Sequence, residues 1–349
     1  MDELDQQLLN VMQNDFPLTG RPFAALGEPL GLGEDEVIAR VARLVRGNII
    51  RQISAIFDTR SLGYQSCLVA MRIPPDRLVE GALVVNTHPG VTHNYKRNHE
   101  YNLWFTVAVP PGHDLAGTVA RLQELAGAEQ ARMLPTLRLF KIGVDLDLTG
   151  KRAAGAQAQP HYSDARRSDL GPQALNDGDI AIIRELQENL PLVAEPYTPM
   201  AARLGLDLDA LFARLAELKA IGHFRRMAAV LYHRKAGFKA NAMAVWKVPD
   251  ERMDDLGPVF GSFRSVSHCY QRPTYEDWPY SVFTMIHGRT PDECQAVIDA
   301  IEERTGVREY ATLYSSTEFK KTRLRYFTPE LDEWEARYLS GAPATVTAD

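Results

Sequence analysis

The chain repeats itself, and the repeat limits what it can fold into more than any other feature of its 349 residues. A displacement of about 175 residues brings the landmarks back into register. Phe16-Pro17-Leu18 returns as Leu190-Pro191-Leu192, Leu30-Gly31-Leu32 as Leu204-Gly205-Leu206, and Gly63-Tyr64 as Gly237-Phe238. The longest match sets Val91-Thr92-His93-Asn94-Tyr95-Lys96-Arg97 against Val266-Ser267-His268-Cys269-Tyr270-Gln271-Arg272. Between the copies, residues 149–173 are rich in Ala, Gly, Gln and charge, cannot build a core, and read as a linker.

Each copy opens on a helical pattern. Leu4, Leu8, Val11 and Met12 share one helix face, Phe23 to Leu30 is a short helix, and Val37, Val41 and Leu44 line a third. Gly47 ends that helix and Ile49-Ile50-Arg51 starts an extended arm, which makes a winged helix-turn-helix. A βαββαβ order follows, with the last strand of the first copy expected over Thr136 to Val144 and that of the second over Glu309 to Tyr314. The fold class is therefore α+β: a tandem duplication of a winged helix-turn-helix plus a ferredoxin-like domain. Its segments are 1–56 and 57–148 for the first copy, 149–173 for the linker, 174–230 and 231–326 for the second copy, and 327–349 for a C-terminal tail. A four-stranded sheet with helices on one face leaves the other bare, so the two sheets are expected to pack face to face.

Alternation along a strand places Val91, His93, Tyr95 and Arg97 on one face of the first sheet, and Val266, His268, Tyr270 and Arg272 on one face of the second. His-x-Tyr-x-Arg suits a polar cavity better than an apolar layer, since an unpartnered buried Arg or His costs several kcal/mol. Lys96, His99, Arg225, Arg226, Lys235 and Lys239 are further cations that such a cavity can recruit. A cationic cavity in a chain of net charge −6 implies an anionic ligand. Only the second copy carries Tyr275-Glu276-Asp277-Trp278-Pro279-Tyr280, which makes the halves unequal and offers a wall for a large planar ligand. Plainer readings stand beside these: a strand histidine held for structure, Tyr95 and Tyr270 as core aromatics, Trp278 and Tyr280 as an apolar plug.

Charge and composition exclude other classes. The recognition helices begin with Glu34-Asp35-Glu36 and with Asp207 and Asp209, which repel phosphate, so no specific DNA binding is expected. The acidic start and the absence of a long apolar run point to a cytoplasmic protein with no membrane partner. Cys67, Cys269 and Cys294 are scattered and form no metal set, so the protein is expected to hold no metal of its own.

The order of helix-turn-helix and ferredoxin-like domain resembles the AsnC-type regulators. More specifically, His93-Asn94-Tyr95-Lys96-Arg97-Asn98-His99-Glu100-Tyr101-Asn102-Leu103-Trp104 resembles one subunit of the siroheme decarboxylases. His268-Cys269-Tyr270-Gln271-Arg272-Pro273-Thr274-Tyr275, with Trp278-Pro279-Tyr280 and Phe283-Thr284-Met285-Ile286-His287-Gly288, resembles the partner subunit. The resemblance implies a fusion of both subunits, a pseudo-heterodimer whose further dimerisation stays open. It also implies loss of the two acetate carboxyl groups at carbons 12 and 18 of siroheme, on the way to d1-type or another haem, with no cofactor beyond the iron of the substrate. On that reading His268 and Arg272 lie nearest the chemistry and His93 is the third catalytic candidate. Arg97, Lys96, Tyr95, His99, Tyr270, Tyr275, Trp278, Arg225 and Arg226 bind substrate. Either His93 or His268 is also placed to ligate the iron axially. The other readings are an AsnC-type regulator that senses a tetrapyrrole, and a haem carrier.

Overall fold

The computed structural model describes residues 1–142, 155–157, 174–231 and 240–339. Most of the linker therefore lies outside the described residues, as do Lys235 and Lys239.

The first helical module comprises α1 (Glu3–Asn14), α2 (Pro22–Gly27), α3 (Glu34–Arg46) and the wing strand β1 (Ile50–Phe57). Its counterpart has α6 (Asp177–Leu186), α7 (Tyr197–Arg203), α8 (Leu208–Ala220) and β7 (Phe224–Leu231). Asp2 and Asn176 start α1 and α6 with reciprocal capping boxes, which satisfy backbone N–H groups that the first turn leaves open. The third residue of each box, Asp5 or Asp179, is buried and takes an arginine from the third helix: Arg43 at 2.8 Å in one copy and Arg214 at 2.7 Å in the other. The two wings pair antiparallel into their own sheet, and both modules share one apolar core that includes Leu8, Phe23, Val41, Ile183, Leu211 and Leu215. At α3 the first acid is not unopposed, because Arg21 pairs with Glu34.

The first α+β unit runs β2 (Gln65–Arg72), α4 (Leu78–Asn86), β3 (Val91–Arg97), β4 (Leu103–Val109), α5 (Leu115–Ala126), β5 (Gln130–Pro135). The second runs β8 (Ala240–Trp246), α9 (Met253–Ser262), β9 (Val266–Gln271), β10 (Val282–Gly288), α10 (Pro291–Thr305), β11 (Tyr310–Lys321). Between them lies β6 (Arg138–Ile142). All these strands join in one sheet, in the order β5-β2-β4-β3-β11-β8-β10-β9-β6. Each half keeps the ferredoxin-like order, and the halves are tied by strands that serve both. Tyr310 to Tyr314 of β11 pair with β8, whereas Ser315 to Lys321 pair with β3 of the first half. Likewise β5 pairs with β2, and the chain then crosses so that β6 pairs with β9 of the second half.

This corrects the expected last strand of the first copy. The described part of Thr136 to Val144 is not that strand: β5 ends at Pro135, β6 belongs to the other half's edge, and Val144 lies outside the described residues. The exchange is anchored by packing. Phe140 of β6 enters the core beneath α9, where a Cβ on Gly257 would lie 2.2 Å from its ring. Only glycine leaves that space.

With their edges shared, the sheets curl and their helix-free faces meet. Ala70, Trp104, Leu134, Met243, Val245, Phe283 and Leu313 form the apolar layer between them. The segment after residue 326 is not featureless: α11 (Glu330–Tyr338) packs Trp334 edge-on against His88 of the first half, with centroids 4.5 Å apart.

Candidate active site between the facing sheets

The two His-x-Tyr-x-Arg rows lie on β3 and on β9 with Arg272 just past its end, beside the strands that cross between halves. Alternation holds from the histidine onward but fails before it. Val91 and Val266 belong to the helix-side cores, not to the rows. The cause is a β-bulge in each strand: Val91 faces Val107 while His93 faces Thr106, and Ile286 faces Val266 while Met285 faces His268. The extra residue is Thr92 or Ser267, and its hydroxyl lies beside the next histidine's Nδ1, at 3.0 Å and 2.8 Å respectively. A bulge re-aims a side chain in this way at many functional sites.

The arginines are the informative charges. Arg97 is 6% exposed and donates to the Leu313 carbonyl of β11 at 2.9 Å. Arg272 is 8% exposed and donates to the Leu134 carbonyl of β5. Each reaches the last strand of the opposite half and lies over its own row's tyrosine, Arg97 5.8 Å from the Tyr95 centroid and Arg272 4.7 Å from that of Tyr270. Neither has a carboxylate partner among the described residues, and each leaves its Nε buried without a hydrogen bond. Burial lowers both guanidinium groups to about 10. A buried cation in that state costs free energy unless something anionic completes it.

The histidines differ. Burial lowers His268 to about 4, with further contributions from His287, His93, Arg272 and Lys141. That His93 acts on His268 means the two rows feel each other across the interface. His93 is lowered too, by burial first and then by Lys321 and Arg51. Its ring lies 6.2 Å from Tyr95, and that of His268 lies 6.1 Å from Tyr270. Arg51 of the wing and Lys321 are thus cations near this row that the sequence did not single out.

The remaining expected residues divide. His99 stacks in an aromatic group, edge-on to Trp278 at 5.2 Å, and accepts the Tyr101 N–H. Trp278 is fully buried against Trp104, Tyr280 and Phe283, which makes it a plug between the sheets and not an open wall. Tyr275 crosses to the first half, where its hydroxyl donates to the Met133 carbonyl and Arg132 lies over its ring. Asp277 fastens the same insertion to Arg132 at 2.9 Å. Three placements are corrections. Lys96 is exposed on the face opposite to Tyr95 and Arg97, as strand alternation requires. Arg225 and Arg226 lie on the wing strand β7, in a different sheet, with Arg225 paired to Asp58 and Arg226 exposed. His287 is a residue missed. Its Nε2 lies 2.8 Å from Ser267 Oγ, which joins it to His268. The signal was available in the repeat, for Ala108 stands at the matching place in the first half.

A cleft of about 570 Å³ opens elsewhere, lined by Tyr64, Pro89, Ala108, Arg184, Arg325 and Phe327 among others. It contains no residue of either row, and its arginines are engaged, Arg184 by the Phe327 carbonyl and Arg325 by Glu188 at 2.5 Å. The uncompensated buried charge lies in the rows and not in this cleft.

Fold and site together define a helix-turn-helix protein with a duplicated AsnC-type ligand-binding domain. The family description "AsnC-like ligand binding domain" matches residues 61–141 and 235–320, and "Siroheme decarboxylase NirDL-like HTH domain" matches 5–51 and 179–225. The chain is 38% identical over 340 residues to the siroheme decarboxylase of Hydrogenobacter thermophilus, covering 97% of this chain and 99% of that one. The beta subunit of siroheme decarboxylase from Methanosarcina barkeri is 42% identical over 147 residues, which is 97% of that subunit but 42% of this chain. The crystal structure of the siroheme decarboxylase NirDL in co-complex with an iron-uroporphyrin III analogue superposes with a TM-score of 0.78 at 33% identity, covering 97% of this chain and 99% of that one. The chain belongs to the siroheme decarboxylase family.

Proposed function

We propose that this chain removes the carboxyl groups of the acetate side chains at carbons 12 and 18 of siroheme, giving 12,18-didecarboxysiroheme for d1-type or another haem. The observation that carries the reading is the pair of buried arginines, Arg97 and Arg272, which face a shared interface without a carboxylate partner among the described residues. Siroheme carries eight carboxylates, and guanidinium groups bind carboxylates through strong, directed hydrogen bonds.

Loss of carbon dioxide from an acetate on a pyrrole needs somewhere for the electron pair to go. The macrocycle accepts it once a ring carbon is protonated, so the chemistry needs no cofactor beyond the substrate's own iron and no resident metal. The methylene left behind then takes a proton and becomes a methyl group as the ring carbon gives its own proton back, so one proton is consumed for each carboxylate lost as carbon dioxide. A proton donor near the ring is therefore the central requirement. The second row supports that role better: His268 is joined through Ser267 to a second histidine, whereas the hydroxyl beside His93, that of Thr92, leads on to Thr106. His268 and Arg272 act nearest the reacting acetate. His93 and Arg97 hold carboxylates, aided by Arg51 and Lys321.

The helical modules serve assembly: they share one core and their wings pair, and acids at the start of α3 and α8 disfavour phosphate. On this reading the two halves are a pseudo-heterodimer acting in the cytoplasm, with no specific DNA site. Anaerobic incubation with siroheme followed by mass analysis of the tetrapyrrole tests it. Loss of two carbon dioxide units is expected. Unchanged siroheme that stays tightly bound would instead make the protein a tetrapyrrole sensor or carrier.

A further inference from the structure

The bulge in β9 brings three side chains into one chain of contacts. Ser267 is buried, and its Oγ lies 2.8 Å from His268 Nδ1 and 2.8 Å from His287 Nε2, with the Met285 carbonyl further off at 3.3 Å. A hydroxyl has one proton to donate and two lone pairs to accept with, so it can pass a proton between two imidazoles. The first half repeats the bulge and the hydroxyl but not the outer histidine. Thr92 Oγ1 lies 3.0 Å from His93 Nδ1 and 2.9 Å from Thr106 Oγ1. A threonine hydroxyl cannot hold a spare proton near neutral pH, and Ala108 occupies the place that corresponds to His287.

Resting on the decarboxylase reading, we propose that Ser267 relays a proton from His287 to His268, so that His268 protonates the substrate without itself becoming a cation. Before transfer, His268 is neutral, with its proton on Nε2 and the Nδ1 lone pair accepting from Ser267 O–H. His287 is an imidazolium and donates Nε2–H to Ser267 Oγ. In the transfer, His268 gives its Nε2 proton to the substrate carbon, receives the Ser267 proton at Nδ1, and Ser267 takes the Nε2 proton of His287. His268 has exchanged tautomers, Ser267 is unchanged, and His287 is neutral. One proton has moved to carbon, where it forms a C–H bond with the electron pair left when the bond to the carboxyl carbon broke and carbon dioxide departed. His287 is thus a positioning residue and proton reserve, and the relay makes the second half the one that protonates.

Single-turnover decarboxylation of siroheme under anaerobic conditions tests the relay, with siroheme affinity followed by absorbance titration. Ser267→Ala, His287→Ala and His287→Gln are each expected to slow turnover about a hundredfold, the range for loss of a positioned proton donor, with affinity unchanged. Ser267→Thr, which copies the first half's hydroxyl, is expected to retain the rate. The wild type is expected to show a bowed dependence of rate on deuterium fraction, from several protons moving together, and Ser267→Ala a linear one. His287→Gln matters because it still donates to Ser267 but cannot carry the extra proton. A His287→Gln variant as fast as wild type, or a Ser267→Thr variant as slow as Ser267→Ala, overturns the relay and leaves a packing role. A wild-type protein that releases no carbon dioxide overturns the decarboxylase reading itself, a result distinct from either.

Discussion

Arg272→Met separates a guanidinium kept for a ligand from one kept for the fold. The side chains are similar in length, and methionine removes the charge, the bond to the Leu134 carbonyl and the stacking on Tyr270 together. The terms nearly cancel in the ligand-free protein. Burial lowers the guanidinium from 12.5 to about 10, so holding the charge there costs about 3 kcal/mol at about 1.4 kcal/mol per pH unit. The bond to the carbonyl returns about 1.5–3 kcal/mol and the cation–π contact about 0.5–2 kcal/mol. The expected net change in unfolding free energy is therefore within about 2 kcal/mol of zero, in either direction. Siroheme binding behaves differently, because the bound carboxylate loses a charge-assisted contact worth about 1.5–3 kcal/mol, or about 10- to 150-fold in Kd. Urea unfolding of the ligand-free protein and anaerobic titration with siroheme measure the two quantities. Loss of more than about 4 kcal/mol of stability with unchanged affinity would refute the argument, since a structural clamp loses the larger sum when broken. Arg97→Met is expected to follow the same pattern.

Three further outcomes are expected. His268→Ala should lower single-turnover rate about a hundredfold or more, whereas His93→Ala should mainly weaken siroheme binding, and the reverse result would move the chemistry to the first half. Phe140→Ala should cost about 3–5 kcal/mol in urea unfolding by emptying the space against Gly257 and loosening the strand that ties the halves; a cost below about 1 kcal/mol would mean that β6 is not an anchor. Acid should destabilise the ligand-free protein well before its carboxylates titrate. His88 and His268 are lowered by burial to about 3 and about 4, so the unfolded chain binds protons that the folded one does not as pH falls below 6.5. Stability is fully present above that value and is expected to fall by up to about 1.4 kcal/mol per pH unit for each histidine down to its folded pKa, with His88→Leu reducing the slope.

Much of this architecture is legible in local patterns. Helical periodicity places Leu8, Met12, Val41 and Leu44 in the core of the first module, and the copies Val91–Arg97 and Val266–Arg272 identify the strands that carry the site. The row His-x-Tyr-x-Arg follows from the two-residue repeat of a strand, and so does the exclusion of Lys96 from it, whatever its charge offers an anionic ligand. The asymmetry between His287 and Ala108 was legible too, since it needs only the repeat laid over itself.

The tertiary structure decided the rest, because the deciding contacts join residues far apart in the chain. Nothing local says that Arg97 reaches Leu313 or Arg272 reaches Leu134, yet those contacts make both guanidiniums buried and incomplete. The bulges at Thr92 and Ser267 depend on the register against β4 and β10, and a shift of one residue inverts every side chain before it, as it does for Val91 and Val266. Strand exchange through β6 and β11 depends on which edge is free once both halves have folded, so Thr136 to Val144 read as a last strand until its partner, β9, was known. A sequence records which faces a strand can offer; which neighbour it meets is settled only by long-range pairing, and in this protein the site lies where two such pairings cross.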